Sequence, residues 1–259
     1  MSASQNGNAP IVIKIGGSTL GEHDTSLSDC VELHREGRRV VVVHGGGAAV
    51  TDWQRRLGAE ATWVDGLRST TPESLSVVVA VLAGLINKEL TRQLQSLGAQ
   101  AVGLSGVDAG TLCSPISERI GLVGETPRCN PRTLRWALDA GLLPVLAPVG
   151  LANDLSTTLN INADAAAGAV ASALGASSLI FLTDVPQVLD ADGMGIDSLD
   201  AERQRELIEH DVIEGGMLPK LRAGREAYGC GVRVRIVDGR QPRVVRQAVD
   251  GEEVGTVLS

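Results

Sequence analysis

Hydrophobic residues in this 259-residue chain fall into short β-branched runs separated by longer stretches of helical spacing. Residues 11–15 and 39–44 are almost unbroken apolar runs, which predicts strands buried on both faces of a parallel sheet. Similar runs over 61–64, 99–104, 143–148, 179–182 and 232–237 predict further strands. Between them, helical spacing predicts helices over 24–36, from Gly45 to about Leu57, and over 72–97, 131–140, 163–174, 200–209 and 218–228. Residues 111–125 alternate weakly between glycines, which predicts an excursion of short strands. Strands alternating with helices predict an α/β fold, a three-layer α/β/α sandwich around a mostly parallel sheet.

The longest predicted helix, 72–97, starts with Pro72 in a first-turn position and is followed by Gly98. Its first half is apolar nearly all round, so it needs cover on more than one side. Core burial and a subunit interface both satisfy that pattern, and Val77-Val78-Val79 also has strand propensity. The longest apolar run, 77–86, is too short to cross a bilayer. No repeat or long linker stands out. A lobe boundary is expected near Gly175, giving lobes of 1–175 and 176–259, because glycine-rich segments lie on both sides of it.

Composition narrows the function. The net charge is −8 and aromatic residues make up 2% of the chain, which gives neither the positive field nor the stacking platforms of a nucleic-acid binder. Cys30, Cys113, Cys129 and Cys230 are far apart and lack metal-binding spacing, so free thiols in a reducing cytosol are expected. Residues 1–10 are small and polar, without the pattern of a signal peptide. No membrane partner and no protein-held metal are expected.

Of the 23 basic residues only Lys14, Lys88 and Lys220 are lysines. A surviving lysine in an Arg-rich chain suggests a site that needs a compact point charge. Lys14 precedes Gly16-Gly17-Ser18 and Lys220 follows Gly215-Gly216-Met217, so both sit beside glycine turns whose N–H groups suit a phosphoryl group. His44-Gly45-Gly46-Gly47 forms a second candidate anion nest at a strand-to-helix junction. Val50 occupies the third glycine place of a dinucleotide fingerprint, and no GxxxxGK[ST] loop occurs, which disfavours nicotinamide and P-loop chemistry. In Asn160-Ile161-Asn162-Ala163-Asp164, Asn162 can cap the following helix, and Asp164 can hold two ammonium groups that would otherwise repel. Lys220 falls in the first turn of its predicted helix, where the macrodipole disfavours a cation, so a nearby anion is expected.

Taken together, Lys14-x-Gly16-Gly17, His44-Gly45-Gly46-Gly47, Gly66-Leu67-Arg68, Asn87-Lys88, Asn160-x-Asn162-Ala163-Asp164, Thr183-Asp184-Val185 and Gly216-Met217 with Lys220 resemble the amino acid kinase family in order and over nearly the whole chain. The resemblance is strongest to the branch acting on N-acetyl-L-glutamate in arginine biosynthesis. It implies transfer of the ATP γ-phosphoryl group to a side-chain carboxylate, with Mg²⁺ carried by the nucleotide. It further implies Lys14, Lys220 and Asp164 as catalytic residues and Gly46, Gly47, Arg68 and Asn160 as acceptor ligands. Gly16, Gly17, Asp184, Val185, Gly216 and Met217 would meet the nucleotide, and Lys88 is read as a packing residue. By the same resemblance the N-terminal lobe binds the acyl amino acid and dimerises, the C-terminal lobe binds ATP, and the enzyme is a cytoplasmic homodimer.

The resemblance also implies an arginine-insensitive form, because its arginine-inhibited members carry an extra helix ahead of the first strand and only residues 1–10 stand there in this sequence. Gln187 stands where the family commonly has glycine. The alternatives are a sister kinase acting on another carboxylate, such as carrier-bound aminoadipate, and a nucleotide-binding sensor without turnover.

Overall fold

The computed structural model describes residues 9–16, 25–64 and 67–259. Its centre is an eight-stranded sheet. From one edge the order is Ser198–Leu199, Thr256–Leu258, Arg233–Asp238, Ser178–Thr183, Ile11–Ile15, Val40–His44, Leu143–Ala147 and Ala101–Ser105. Neighbours run parallel except Thr256–Leu258 against Arg233–Asp238. The sheet is continuous across residue 175, because Ile11–Ile15 pairs directly with Ser178–Thr183.

The apolar runs are unbroken because both faces of the sheet are covered. Val12, Val41, Val43, Leu146, Leu179 and Phe181 face one core, which includes Leu134, Ala167, Val170 and Leu221 from three helices. Ile11, Ile13, Val40, Val42, Val145 and Ile180 face the other, against Val31, Leu90 and Val245. Alternate residues of a strand point to opposite faces, so Lys14 shares the Val12 face and looks toward the helix Ala163–Leu174.

That helix begins where the sequence predicts. Asn162 Oδ1 accepts from the backbone N–H groups of Asp164 and Ala165, and Gly175 ends the helix at φ 62°. It packs on the helix Met217–Gly229 through small residues. A Cβ on Gly168 would come 2.8 Å from the Ala223 carbonyl oxygen, so glycine is needed for this approach.

Residues 72–96 form one helix of 25 residues, with a π-helical stretch at Ala80–Ile86. Thr71 caps it by accepting from Ser74 N, with Pro72 in the first turn. It is long and apolar enough to cross a membrane by length and composition, beyond the ten-residue run visible in sequence. Here one side, with Leu75, Val78, Val81 and Leu82, is buried in the domain, and 39% of the apolar stretch is buried in all.

A second sheet of six short strands includes Gly121–Gly124, Val149–Ala152 and Thr158–Ile161. The last two were not expected from sequence. Neither were the helix Val244–Asp250 and the closing strand Thr256–Leu258. The predicted strand near 61–64 is only Trp63–Val64, paired with Leu67–Arg68 so that Trp63 stands opposite Arg68.

Candidate active site

The first strand lies at the point where the chain's connections diverge, toward Val40–His44 on one side and Ser178–Thr183 on the other. Open parallel sheets bind ligands in the crevice at the carboxyl ends of such strands. Lys14 and Gly16 are at that end. Gly17, Ser18, Gly66 and the first predicted helical residue, Asp24, lie outside the described residues.

Lys14 is 5% exposed, and its Nζ lies 2.8 Å from Asp164 Oδ1. Lys220 Nζ lies 3.4 Å from Asp164 Oδ2 and 3.2 Å from the Gly216 carbonyl oxygen. One buried carboxylate thus touches two ammonium groups, each oxygen facing one amine. Burial lowers the Lys220 pKa from its ordinary 10.5, Asp164 opposes that shift, and the charge of Lys14 adds to it. The pair of cations exceeds the single negative charge between them. An anion is the ligand that balances such a cluster.

Next to this cluster is a cavity of about 210 Å³ lined by Lys14, Gly46, Gly47, Arg68, Asn160 and Asp164, with an apolar wall that includes Val78, Leu82 and Val123. Its volume is below the ~300–1,000 Å³ of drug-sized ligand sites, which suits a small amino-acid derivative. Gly46 has φ 154°, and a Cβ there would come 2.2 Å from Ile86 Cδ1 and 2.7 Å from Leu82 Cδ2. The π-helical stretch therefore rests directly on the glycine turn. Asn160 Nδ2 donates to Thr70 Oγ1 at 3.0 Å.

Arg68 is 7% exposed. Its Nη1 donates to Gln54 Oε1 at 2.6 Å, and its Nη2 donates to Thr51 Oγ1 at 2.6 Å and the Gly47 carbonyl at 2.9 Å. The guanidinium lies 4.4 Å from the centre of the Trp63 ring. Burial lowers its pKa, which still leaves an arginine charged at neutral pH.

His44 backs the same turn. It is 1% exposed, its Nδ1 is 2.8 Å from the Gly45 carbonyl, and its Nε2 is 3.3 Å from Asn87 Nδ2. Burial brings its pKa down to about 4, so the ring is neutral and braces the loop. Asn87 Nδ2 also donates to the carbonyls of Leu104 and Val145, and Lys88 Nζ to that of Gly103. Lys88 thus packs against the sheet edge, away from the cavity lining.

Asp184, Val185, Gly216 and Met217 do not line the cavity. Asp184 follows the strand Ser178–Thr183, and its charge acts on Lys220. Gly216 and Met217 open the helix that carries Lys220. Gln187 donates to Asp197 Oδ1 at 2.7 Å and to the Gly255 carbonyl at 3.2 Å, away from the lysine cluster. Among the described residues, no group of three or more His, Cys, Asp or Glu side chains is placed to hold a metal ion.

Sequence reasoning missed Gln54, Thr51, Trp63 and Thr70. Gly47, Thr51 and Gln54 have a 4-and-3 spacing that marks one helix face, the only signal available.

A family model described as the amino acid kinase family matches residues 9–238. The chain is similar to acetylglutamate kinase of Dehalococcoides mccartyi, at 39% identity over 265 residues, covering 100% of this chain and 97% of that protein. It is also similar to acetylglutamate kinase of Geobacillus kaustophilus, at 44% identity, covering 89% and 90%. Among solved structures, smu.665 from Streptococcus mutans superposes with a TM-score of 0.82 at 29% identity, covering 96% and 98%. The chain belongs to the amino acid kinase family.

Proposed function

We propose that the protein is an acetylglutamate kinase, transferring the γ-phosphoryl group of ATP to the side-chain carboxylate of N-acetyl-L-glutamate. The relatives bearing that name match over nearly their full length. The observation that carries the mechanism is the meeting of Lys14 and Lys220 on Asp164, beside a cavity walled by Arg68.

A carboxylate nucleophile, with a pKa of about 4.3, is already ionised at neutral pH, so no general base is needed. An acceptor oxygen forms a bond to the γ-phosphorus while the bond to the bridging oxygen of ADP breaks. ADP leaves with the electron pair, and no proton moves. Catalysis is then positioning and charge stabilisation. In this reading Lys14 holds the transferring phosphoryl group, Lys220 offsets charge growing on ADP, and Asp164 keeps both amines in place.

Arg68 binds the acceptor's α-carboxylate, Asn160 its amide portion, and the N–H groups at Gly46 and Gly47 complete the grip. Gly16, Gly17, Asp184, Val185, Gly216 and Met217 meet the nucleotide. Mg²⁺ would come with ATP and offset charge on its phosphates, while Asp164 stays engaged by both ammonium groups.

Residues 1–175 would hold the acceptor and the dimer contact, and 176–259 the nucleotide, in a cytoplasmic enzyme of arginine biosynthesis. The test is an ADP-release assay across N-acetylglutamate, N-acetylaspartate, glutamate and N-acylated aminoadipate. N-acetylglutamate should give the highest kcat/KM. A higher value for any other acceptor contradicts the assignment.

A further inference from the structure

Arg68 is held in an unusual way for a buried cation. Among the described residues its hydrogen-bond acceptors are all neutral: an amide, a hydroxyl and a peptide carbonyl. All three come from one face of the helix Gly47–Arg56, at positions 47, 51 and 54. The Thr51 hydroxyl closes the arrangement by donating to the Gly47 carbonyl at 3.0 Å. The helix whose N-terminus borders the cavity therefore also sets the arginine's direction. Gln54 is itself 1% exposed, so its amide is committed to this place.

A carboxylate at position 54 would hold the guanidinium in the same geometry and more tightly, but it would cancel the charge. Neutral acceptors fix the arginine and leave its charge for a ligand. We propose that Gln54 and Thr51 are positioning residues for acceptor recognition, anchoring Arg68 from behind with its positive charge uncancelled and so setting the affinity for the acceptor's carboxylate. The proposal rests on the reading of Arg68 as the ligand of that carboxylate.

The test is steady-state kinetics of Gln54→Glu, Thr51→Val, Thr51→Ser and Arg68→Lys, with thermal melting as a control for folding. Gln54→Glu should raise KM for N-acetylglutamate on the order of tenfold, with kcat and KM for ATP within about twofold and an unchanged or higher Tm. Thr51→Val should raise the same KM several-fold, and Thr51→Ser should restore it. Position 51 is exposed, so this pair reads the effect without disturbing the core. A purely structural anchor predicts that Gln54→Glu keeps its KM, and that result overturns the proposal. Unchanged KM in Thr51→Val overturns it as well. If Arg68→Lys leaves KM unaltered, the acceptor reading itself fails; if Arg68→Lys raises KM while Gln54→Glu does not, only the positioning role fails.

Discussion

At the scale of single residues, the chemistry rests on charges placed where water is scarce. Lys220 loses its proton below the ordinary 10.5 because its ammonium is desolvated and faces Lys14. A reaction that needs this ammonium should lose kcat/KM as pH rises, with an apparent pKa under 10.5. That alkaline limb should be absent from the residual activity of Lys220→Arg, whose charge persists.

His44 gives a stability signature with the opposite range. Its pKa is about 4 when folded, against 6.5 for the free side chain. The unfolded chain therefore binds the proton first, and stability is full above pH 6.5 and falls as pH drops toward 4. The loss amounts to about 3 kcal/mol over that window. Chemical denaturation at several pH values should show this slope in the wild type and a flatter one in His44→Asn.

Rarity made Lys14 and Lys220 legible in the sequence, and the Asn160–Asp164 stretch showed a cap and a carboxylate together. Gln54 and Trp63 were not legible. Gln54 depends on Arg68 arriving from 14 residues away, a pairing that local spacing does not carry; Trp63 faces Arg68 across a two-residue strand pair too short for periodicity to register.

At the scale of elements, the site depends on close approach of helices. Gly168 lets the Ala163–Leu174 helix meet Ala223 of the helix that carries Lys220. Gly168→Leu should push the two apart, lowering kcat together with stability by about 1–3 kcal/mol, read by activity and melting of the same sample. The buried strands and capped helices were legible because apolar runs, Asn162, Pro72 and Gly175 punctuate them.

Other elements lacked such marks. Val149–Ala152 and Thr158–Ile161 are four residues each, too short for periodicity to register. The helix Val244–Asp250 starts after Arg243 at φ 60° with no side-chain cap, so its start carries no capping signal, and at seven residues its apolar spacing is brief. Continuity of the 72–96 helix through Val77-Val78-Val79 is set by tertiary packing, which overrides the strand propensity of those valines.

At the scale of the whole molecule, one sheet carries both halves of the site, so Lys14 and Lys220 can be brought to one carboxylate from opposite ends of the sequence. The exposed side of the long helix, with Leu85 52% accessible, is the proposed dimer contact. Leu85→Glu should shift the proposed dimer toward monomer in light scattering.

Trapping the product shows whether a phosphoryl group reaches a carboxylate. An acyl phosphate reacts with hydroxylamine to give a stable hydroxamate, so hydroxamate yield reports phosphoryl transfer to a carboxylate. With ATP and N-acetylglutamate the wild type should form hydroxamate, and Lys14→Arg and Lys220→Arg should each slow its formation on the order of 10²–10³-fold while remaining folded. No hydroxamate from the wild type, or near-normal rates in both variants, would contradict the proposed mechanism.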